Sequence, residues 1–134
     1  MKILVVEDDP VSRKLLQKIM SSFGECEEVE NGKAAIKSFE QSLENDTPFD
    51  LITLDISMPE MNGIDALNRI RELETEEGVP LGKRAKIFMV TSHSDEDTVT
   101  NSVKAGCDDY IVKPFNKEIV LAKLKKSGLV STIS

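Results

Sequence analysis

Ile3-Leu4-Val5-Val6-Glu7-Asp8-Asp9-Pro10 is the stretch from which the rest of the chain is read. Four β-branched or leucine residues in unbroken succession have the pattern of a strand buried on both faces, as in a parallel sheet. The run ends on acids. Asp9 before Pro10 then reads as a helix N-cap followed by proline at the first helical position. Val11, Leu15, Leu16, Ile19, Met20 and Phe23 repeat at helical spacing as far as Gly24, giving helix 1 one apolar face.

The same strand-then-helix unit recurs four times. Cys26 to Glu30 has few apolar members and suits a strand at a sheet edge. After the Asn31-Gly32 turn, Ala34, Ala35, Ile36 and Phe39 give a second helix an apolar face, ending near Leu43. Leu51 to Leu54 is a third strand, delivering Asp55 into a loop with Pro59 and Asn62-Gly63. Ile64, Leu67, Ile70 and Leu73 mark helix 3, and a long loop runs from Glu74 to Lys86.

Ile87-Phe88-Met89-Val90 is the fourth strand, ending in Thr91-Ser92, and Asp95 to Ala105 is a polar helix that reads as the least amphipathic of the set. Tyr110-Ile111-Val112 is the fifth strand, ending in Lys113-Pro114. Asn116 caps a last helix carrying Ile119, Val120, Leu121 and Leu124. Strict alternation predicts an α/β fold: a flavodoxin-like, doubly wound (βα)5 three-layer sandwich with right-handed crossovers. A parallel sheet of order 2-1-3-4-5 puts the polar second strand at an edge.

Bulk properties narrow the function. The 134 residues suit one domain, and 40% hydrophobic with 31% charged residues is ordinary for a globular chain. A net charge of −7 argues against a nucleic-acid partner, which would ask for clustered cations. The basic stretch Lys83-Arg84-Ala85-Lys86 reads as a solvated loop. No run is long enough to be a signal core or a membrane span, which predicts a cytoplasmic, reducing setting with Cys26 and Cys107 as free thiols near opposite sheet edges.

Ligands of open α/β sheets bind beyond the carboxyl ends of the strands, where strand order reverses. There the sequence places Glu7 and Asp8 after strand 1, Asp55 after strand 3, Thr91 after strand 4 and Lys113 after strand 5. Three carboxylates at one rim call for a cation, and an all-oxygen set suits Mg²⁺. A carboxylate can also attack a phosphoryl group, and Asp55, flanked by cation, lysine and hydroxyl, is the best placed to do so. The single histidine, His93, cannot build a multi-histidine metal site, and no Gly-x-Ser-x-Gly turn supports a hydrolase triad.

These residues resemble the receiver domains of two-component response regulators, the chemotaxis-regulator-like family, in stand-alone single-domain form. The resemblance rests on Ile3 to Asp9, on Leu54-Asp55-Ile56-Ser57-Met58-Pro59-Glu60-Met61-Asn62-Gly63, on Val90-Thr91-Ser92 and on Tyr110-Ile111-Val112-Lys113-Pro114-Phe115. It implies that Asp55 is the phosphoacceptor, charged by a sensor histidine kinase or histidine phosphotransfer protein in a phosphorelay. It implies a Mg²⁺ site formed by Glu7, Asp8, Asp55 and the Ser57 backbone carbonyl. Lys113 would contact the phosphoryl group and precede a cis Pro114. Thr91 and Tyr110 would be switch residues reshaping the face of helix 4, strand 5 and helix 5.

By the same resemblance Ser57 and His93 border the attacking water and tune dephosphorylation. The domain would then catalyse its own phosphotransfer and autodephosphorylation without being a conventional enzyme. Residues 1–127 are expected to form the receiver domain and 128–134 a short tail with no output domain, so a downstream target protein would carry the response. A monomer or weak dimer is expected. Three alternatives stay open: an interaction module that is never phosphorylated, a flavin-binding protein, and a Mg²⁺-dependent aspartyl phosphatase. The flavin reading is weakened because Glu7-Asp8-Asp9 would repel a cofactor phosphate, and the phosphatase reading because no Asp-x-Asp follows strand 1.

Overall fold

Every strand that the sequence marks as a continuous apolar run lies in one sheet. The computed structural model describes residues 1–58, 61–92 and 96–131. Pro59 and Glu60 of the loop motif, His93, Asp95 at the expected start of helix 4, and the last three residues of the tail lie outside them. The elements are β1 (Lys2–Val6), α1 (Pro10–Met20), β2 (Glu25–Val29), α2 (Gly32–Glu44), β3 (Leu51–Asp55), α3 (Gly63–Glu76), β4 (Lys86–Thr91), α4 (Glu96–Lys104), β5 (Asp109–Val112) and α5 (Lys117–Lys126). A single 3₁₀ turn, Leu81–Lys83, precedes β4.

The sheet has the order β2-β1-β3-β4-β5 and every pairing is parallel. This is the doubly wound, flavodoxin-like arrangement expected from the sequence. Side chains alternate between its faces. Ile3 and Val5 of β1, Leu51 of β3, Phe88 and Val90 of β4 and Ile111 of β5 pack with α1 and α5 residues such as Leu16, Met20, Val120 and Leu124. Leu4, Val6, Ile52, Leu54, Ile87 and Met89 face the other way, onto Ala35 and Phe39 of α2 and Leu67, Ile70 and Leu73 of α3. Cys26 and Cys107 are free and flank opposite edges of the sheet.

The helix starts are set by side-chain caps. Asp9, Asn31, Asn62 and Asn116 each accept a hydrogen bond from a backbone N–H three residues on, at 2.8 to 3.1 Å. Asn31 and Asn62 therefore do more than turn the chain: each begins a helix. Gly63 is required for a different reason, because a Cβ there would collide with the Asp55 carbonyl oxygen.

Three expectations need correction. Val11 and Leu15 are 76% and 41% exposed, so they are not part of the buried face of α1. At about 100° per residue they lie about 130° and about 90° from the centre of the arc of Leu16, Ile19, Met20 and Phe23, beyond the sheet-facing stripe. Helix α5, not α4, is the least amphipathic, because consecutive apolar residues cover more than one face: Val120 is buried while Ile119 is 40% exposed. The segment from Glu74 is not yet loop, since α3 continues to Glu76 and Glu74 is buried.

Glu74 belongs to a charged network at the end of the sheet away from the acidic rim. Arg71 donates to Glu74 Oε1 at 2.7 Å, to the Ala85 carbonyl at 2.8 Å, to the Gly106 carbonyl at 3.0 Å and to Asp108 Oδ2 at 2.9 Å. Glu74 Oε2 and Asp108 Oδ2 accept in turn from the backbone N–H groups of Ala85 and Ile87. One guanidinium thus ties α3 to the start of β4 and to the turn before β5. The basic stretch is partly engaged too, with Arg84 Nε donating to the Val79 carbonyl. Truncating Glu74 to alanine removes one of the two carboxylates of Arg71 and leaves the buried Ala85 N–H without its acceptor, so Glu74→Ala should lower unfolding free energy by about 3 kcal/mol in urea. A loss below about 0.5 kcal/mol would show that the network is not a structural tie.

Candidate functional site

The acidic residues are placed by continuation of the sheet's hydrogen bonding past the strand ends. The Glu7 N–H donates to the Val29 carbonyl at 3.1 Å, Ile56 N–H to Val90 at 3.0 Å and Lys113 N–H to Thr91 at 2.7 Å. The pairs Val6 to Leu54 and Thr91 to Val112 set the register at the rim. Glu7, Asp55 and Lys113 have the parity of Val5, Leu51 and Ile111, so they share the α1 and α5 side of the sheet. Thr91 and Tyr110 have the opposite parity and fall on the other side, where Tyr110 packs against the second core cluster.

Glu7, Asp8 and Asp55 each offer a carboxylate oxygen, and these oxygens lie within 4.8 Å of one another. Glu7 is fully buried and Asp55 is 4% exposed, whereas Asp8 is open to solvent. Glu7 Oε2 accepts from the Asp9 N–H at 3.2 Å. Lys113 Nζ is 2.7 Å from Glu7 Oε1 and 3.6 Å from Asp55 Oδ2. The Lys113 ammonium is thus the partner of the buried Glu7 Oε1, in an ion pair. Asp55 Oδ1 accepts from the Ser57 N–H at 3.2 Å, and the Lys113-Pro114 peptide is cis.

Burial most of all, then the hydrogen bond and charge of Glu7 and the hydrogen bond of Asp8, push the Asp55 carboxyl up to about 8, against the pull of Lys113. For Lys113, burial opposes the charged form, yet Glu7, Asp55 and Asp9 together raise its pKa above the ordinary lysine value. Three convergent carboxylates at one rim fit a hard divalent cation. An all-oxygen donor set does not fit a soft metal.

Arg13 was not legible as part of this site. Its guanidinium donates to the Glu7 carbonyl at 3.0 Å and lies 3.6 Å from Glu30 Oε1, bracing the β1 terminus from the first turn of α1. The only sequence signal is a cation one helical turn beyond the Asp9 cap. Among the other site candidates, Thr91 is buried at the end of β4, Ser57 is exposed and Tyr110 is half-buried in β5. His93 lies outside the described residues.

The model of the response regulator receiver domain family matches residues 3–125. The chain is a response regulator receiver domain. It is 33% identical to the chemotaxis protein CheY of Bacillus subtilis over 94% of this chain and 96% of that protein, and 36% identical to CheY of Halobacterium salinarum over 90% of each. Among solved structures, this receiver domain is similar to CheY in the CheX-CheY-BeF3-Mg²⁺ complex from Borrelia burgdorferi. The TM-score is 0.81 at 28% identity, covering 98% of this chain and 90% of that one. It is also similar to the receiver domain of the histidine kinase CKI1 from Arabidopsis thaliana, complexed with Mg²⁺ and BeF3⁻. There the TM-score is 0.78 at 30% identity, covering 94% and 89%. Receiver domains bind Mg²⁺, and the acidic cluster of this one could hold it. Among the described residues no helix is long and apolar enough to cross a membrane.

The raised pKa of Asp55 has a sign for stability. Between its ordinary value of 3.8 and about 8 the folded receiver domain retains a proton that the unfolded chain has released. Asp55 therefore lowers stability progressively as pH rises through that window, with no effect below it. In Mg²⁺-free buffer, Asp55→Asn should exceed the native protein in unfolding free energy by about 2 kcal/mol at pH 8 and match it near pH 4. Parallel curves across that range in chemical denaturation would contradict the raised pKa.

Proposed function

We propose that this receiver domain is a phosphorylation-activated switch in which Asp55 accepts a phosphoryl group from a phosphohistidine of a sensor histidine kinase or histidine phosphotransfer protein. The observation that carries this reading is the convergence of Asp55 with Glu7, Asp8 and Lys113. Asp55 Oδ2 lies 3.6 Å from the ammonium, and a carboxylate oxygen of Asp55 lies within 4.8 Å of one from each of the other two acids. An Asp55 oxygen attacks phosphorus, the P–N bond breaks, and the imidazole leaves with the electron pair. Asp55 must be ionised to attack, so release of its proton belongs to activation of the site.

Glu7, Asp8, Asp55 and the Ser57 carbonyl are the groups that would hold Mg²⁺. When bound, it offsets negative charge on the carboxylates and on the phosphoryl oxygens. Asp8, the exposed member, is accessible to a hydrated cation, while buried Glu7 is fixed by Asp9 N–H and Lys113. Lys113, already between Glu7 and Asp55, transfers its ammonium from the acids to the new phosphoryl group. Water later hydrolyses the acyl phosphate, returning Asp55 and inorganic phosphate, and we assign Ser57 and His93 to tuning the rate of that step.

The response runs through the opposite side of the sheet. Thr91, at the end of β4, bonds a phosphoryl oxygen, and Tyr110, on the same side and in register with Met89 two residues before it, follows. The α4-β5-α5 face then presents a different surface to a downstream protein. A cytoplasmic setting accords with a kinase donor and free thiols. The solved complexes of CheY with CheX and of a histidine-kinase receiver with Mg²⁺ and BeF3⁻ support such partners in kind.

Acetyl phosphate with Mg²⁺ tests the chemistry directly. The native protein should gain one acid-stable, hydroxylamine-labile phosphoryl group, and Asp55→Asn none; equal labelling of both would exclude Asp55 as acceptor. Lys113→Ala should still be labelled, yet its Tyr110 fluorescence should not shift on labelling. A native-sized shift in that variant would remove Lys113 from the coupling.

A further inference from the structure

Tyr110 is the only tyrosine of a chain without tryptophan, and it is held from two directions. Asp109 Oδ1 accepts from the Tyr110 backbone N–H at 2.8 Å. The same oxygen accepts from Lys123 Nζ, in the last turn of α5, at 2.9 Å. That ammonium stands 4.9 Å from the centroid of the Tyr110 ring. The pair is mostly withdrawn from water, with side-chain exposures of 26% for Lys123 and 10% for Asp109. A partly desolvated ion pair is not the freely exchanging kind found at the surface. The ring and backbone of the tyrosine are thus both tied, through one cation, to α5.

We infer that Lys123 is a positioning residue for the switch: by bridging Asp109 and the Tyr110 ring, it holds the tyrosine in its unphosphorylated placement and sets how strongly the phosphoryl group must pull. This rests on the reading of Tyr110 as a switch residue. An element with two placements responds to a ligand only through the difference between them, so a contact made in the resting placement raises the ligand concentration needed to reach the other. Lys123 touches neither Asp55 nor the metal-binding acids; its effect passes through Asp109 and Tyr110 alone. The ion pair also explains an Asp-Asp-Tyr sequence in which the two acids differ in use: Asp108 serves the Arg71 network and Asp109 serves Lys123.

The test is a beryllofluoride titration of the full chain in Mg²⁺, read by Tyr110 emission. Lys123→Met keeps the length of the stem and removes the charge, and its midpoint should fall to about one third to one tenth of the native concentration. Lys123→Arg should restore a near-native midpoint. Asp109→Asn, which can still accept from the Tyr110 N–H, should shift the midpoint in the same direction as Lys123→Met and serves if that variant does not fold. An unchanged or higher midpoint in both charge-removing variants, while native emission responds, would overturn the role of Lys123 and leave the phosphoryl reading standing. A native protein whose Tyr110 emission ignores beryllofluoride would overturn both.

Discussion

Three carboxylates converge at the carboxyl rim of the sheet, one ammonium stands against two of them, and the proposed function follows from that imbalance. Two like charges about 4 Å apart at the edge of a protein repel by about 4 kcal/mol, and here the sheet leaves Glu7 and Asp55 no room to separate. The ladder bonds from Glu7 to Val29, from Ile56 to Val90 and from Lys113 to Thr91 fix where the acids emerge. The buried cores on both faces supply the free energy that keeps them there. Holding a proton on Asp55 relieves the crowding in one way and holding a divalent cation relieves it in another. Only the second leaves Asp55 ionised, the form that the proposed attack on phosphorus requires.

The two ends of the sheet are built for different tasks. Away from the acids, Arg71 spends its donors on Glu74, Ala85, Gly106 and Asp108, joining α3, β4 and the turn into β5 in a satisfied network. At the acidic rim one ammonium, that of Lys113, faces the two acids Glu7 and Asp55 at unequal distances. Strain concentrated at one end and satisfaction at the other is the arrangement a switch needs, because a new charge can then move the rim without loosening the frame. Lys123 reaches from α5, on the Asp55 side of the sheet, to Tyr110, which packs on the other side.

Much of this was legible in the sequence because parallel strands write their boundaries clearly. The apolar runs at 3–6, 51–54 and 87–90 could only be buried on both faces, and the residue after each run had to lie at one rim. Order 2-1-3-4-5 followed from the polarity of Cys26 to Glu30. The family motifs then attached roles to Asp55, Thr91 and Lys113. Less legible were contacts between residues with no shared spacing. Nothing near Arg71 announces Asp108, thirty-seven positions on, and nothing near Tyr110 announces Lys123. Val11 and Leu15 misled because a periodic apolar pattern fixes the stripe of a helix but not its width, and both stand past the edge of what the sheet covers.

The central claim is that this acidic rim exchanges a proton on Asp55 for a divalent cation. Calorimetric titration of Mg²⁺ into the protein at pH 7, repeated in two buffers of different ionisation enthalpy, measures both binding and proton release in one experiment. The account predicts saturable one-site binding with net proton release, and loss of that release in Asp55→Asn. Saturable binding with no proton release, or binding and release unchanged in Asp55→Asn, would contradict it.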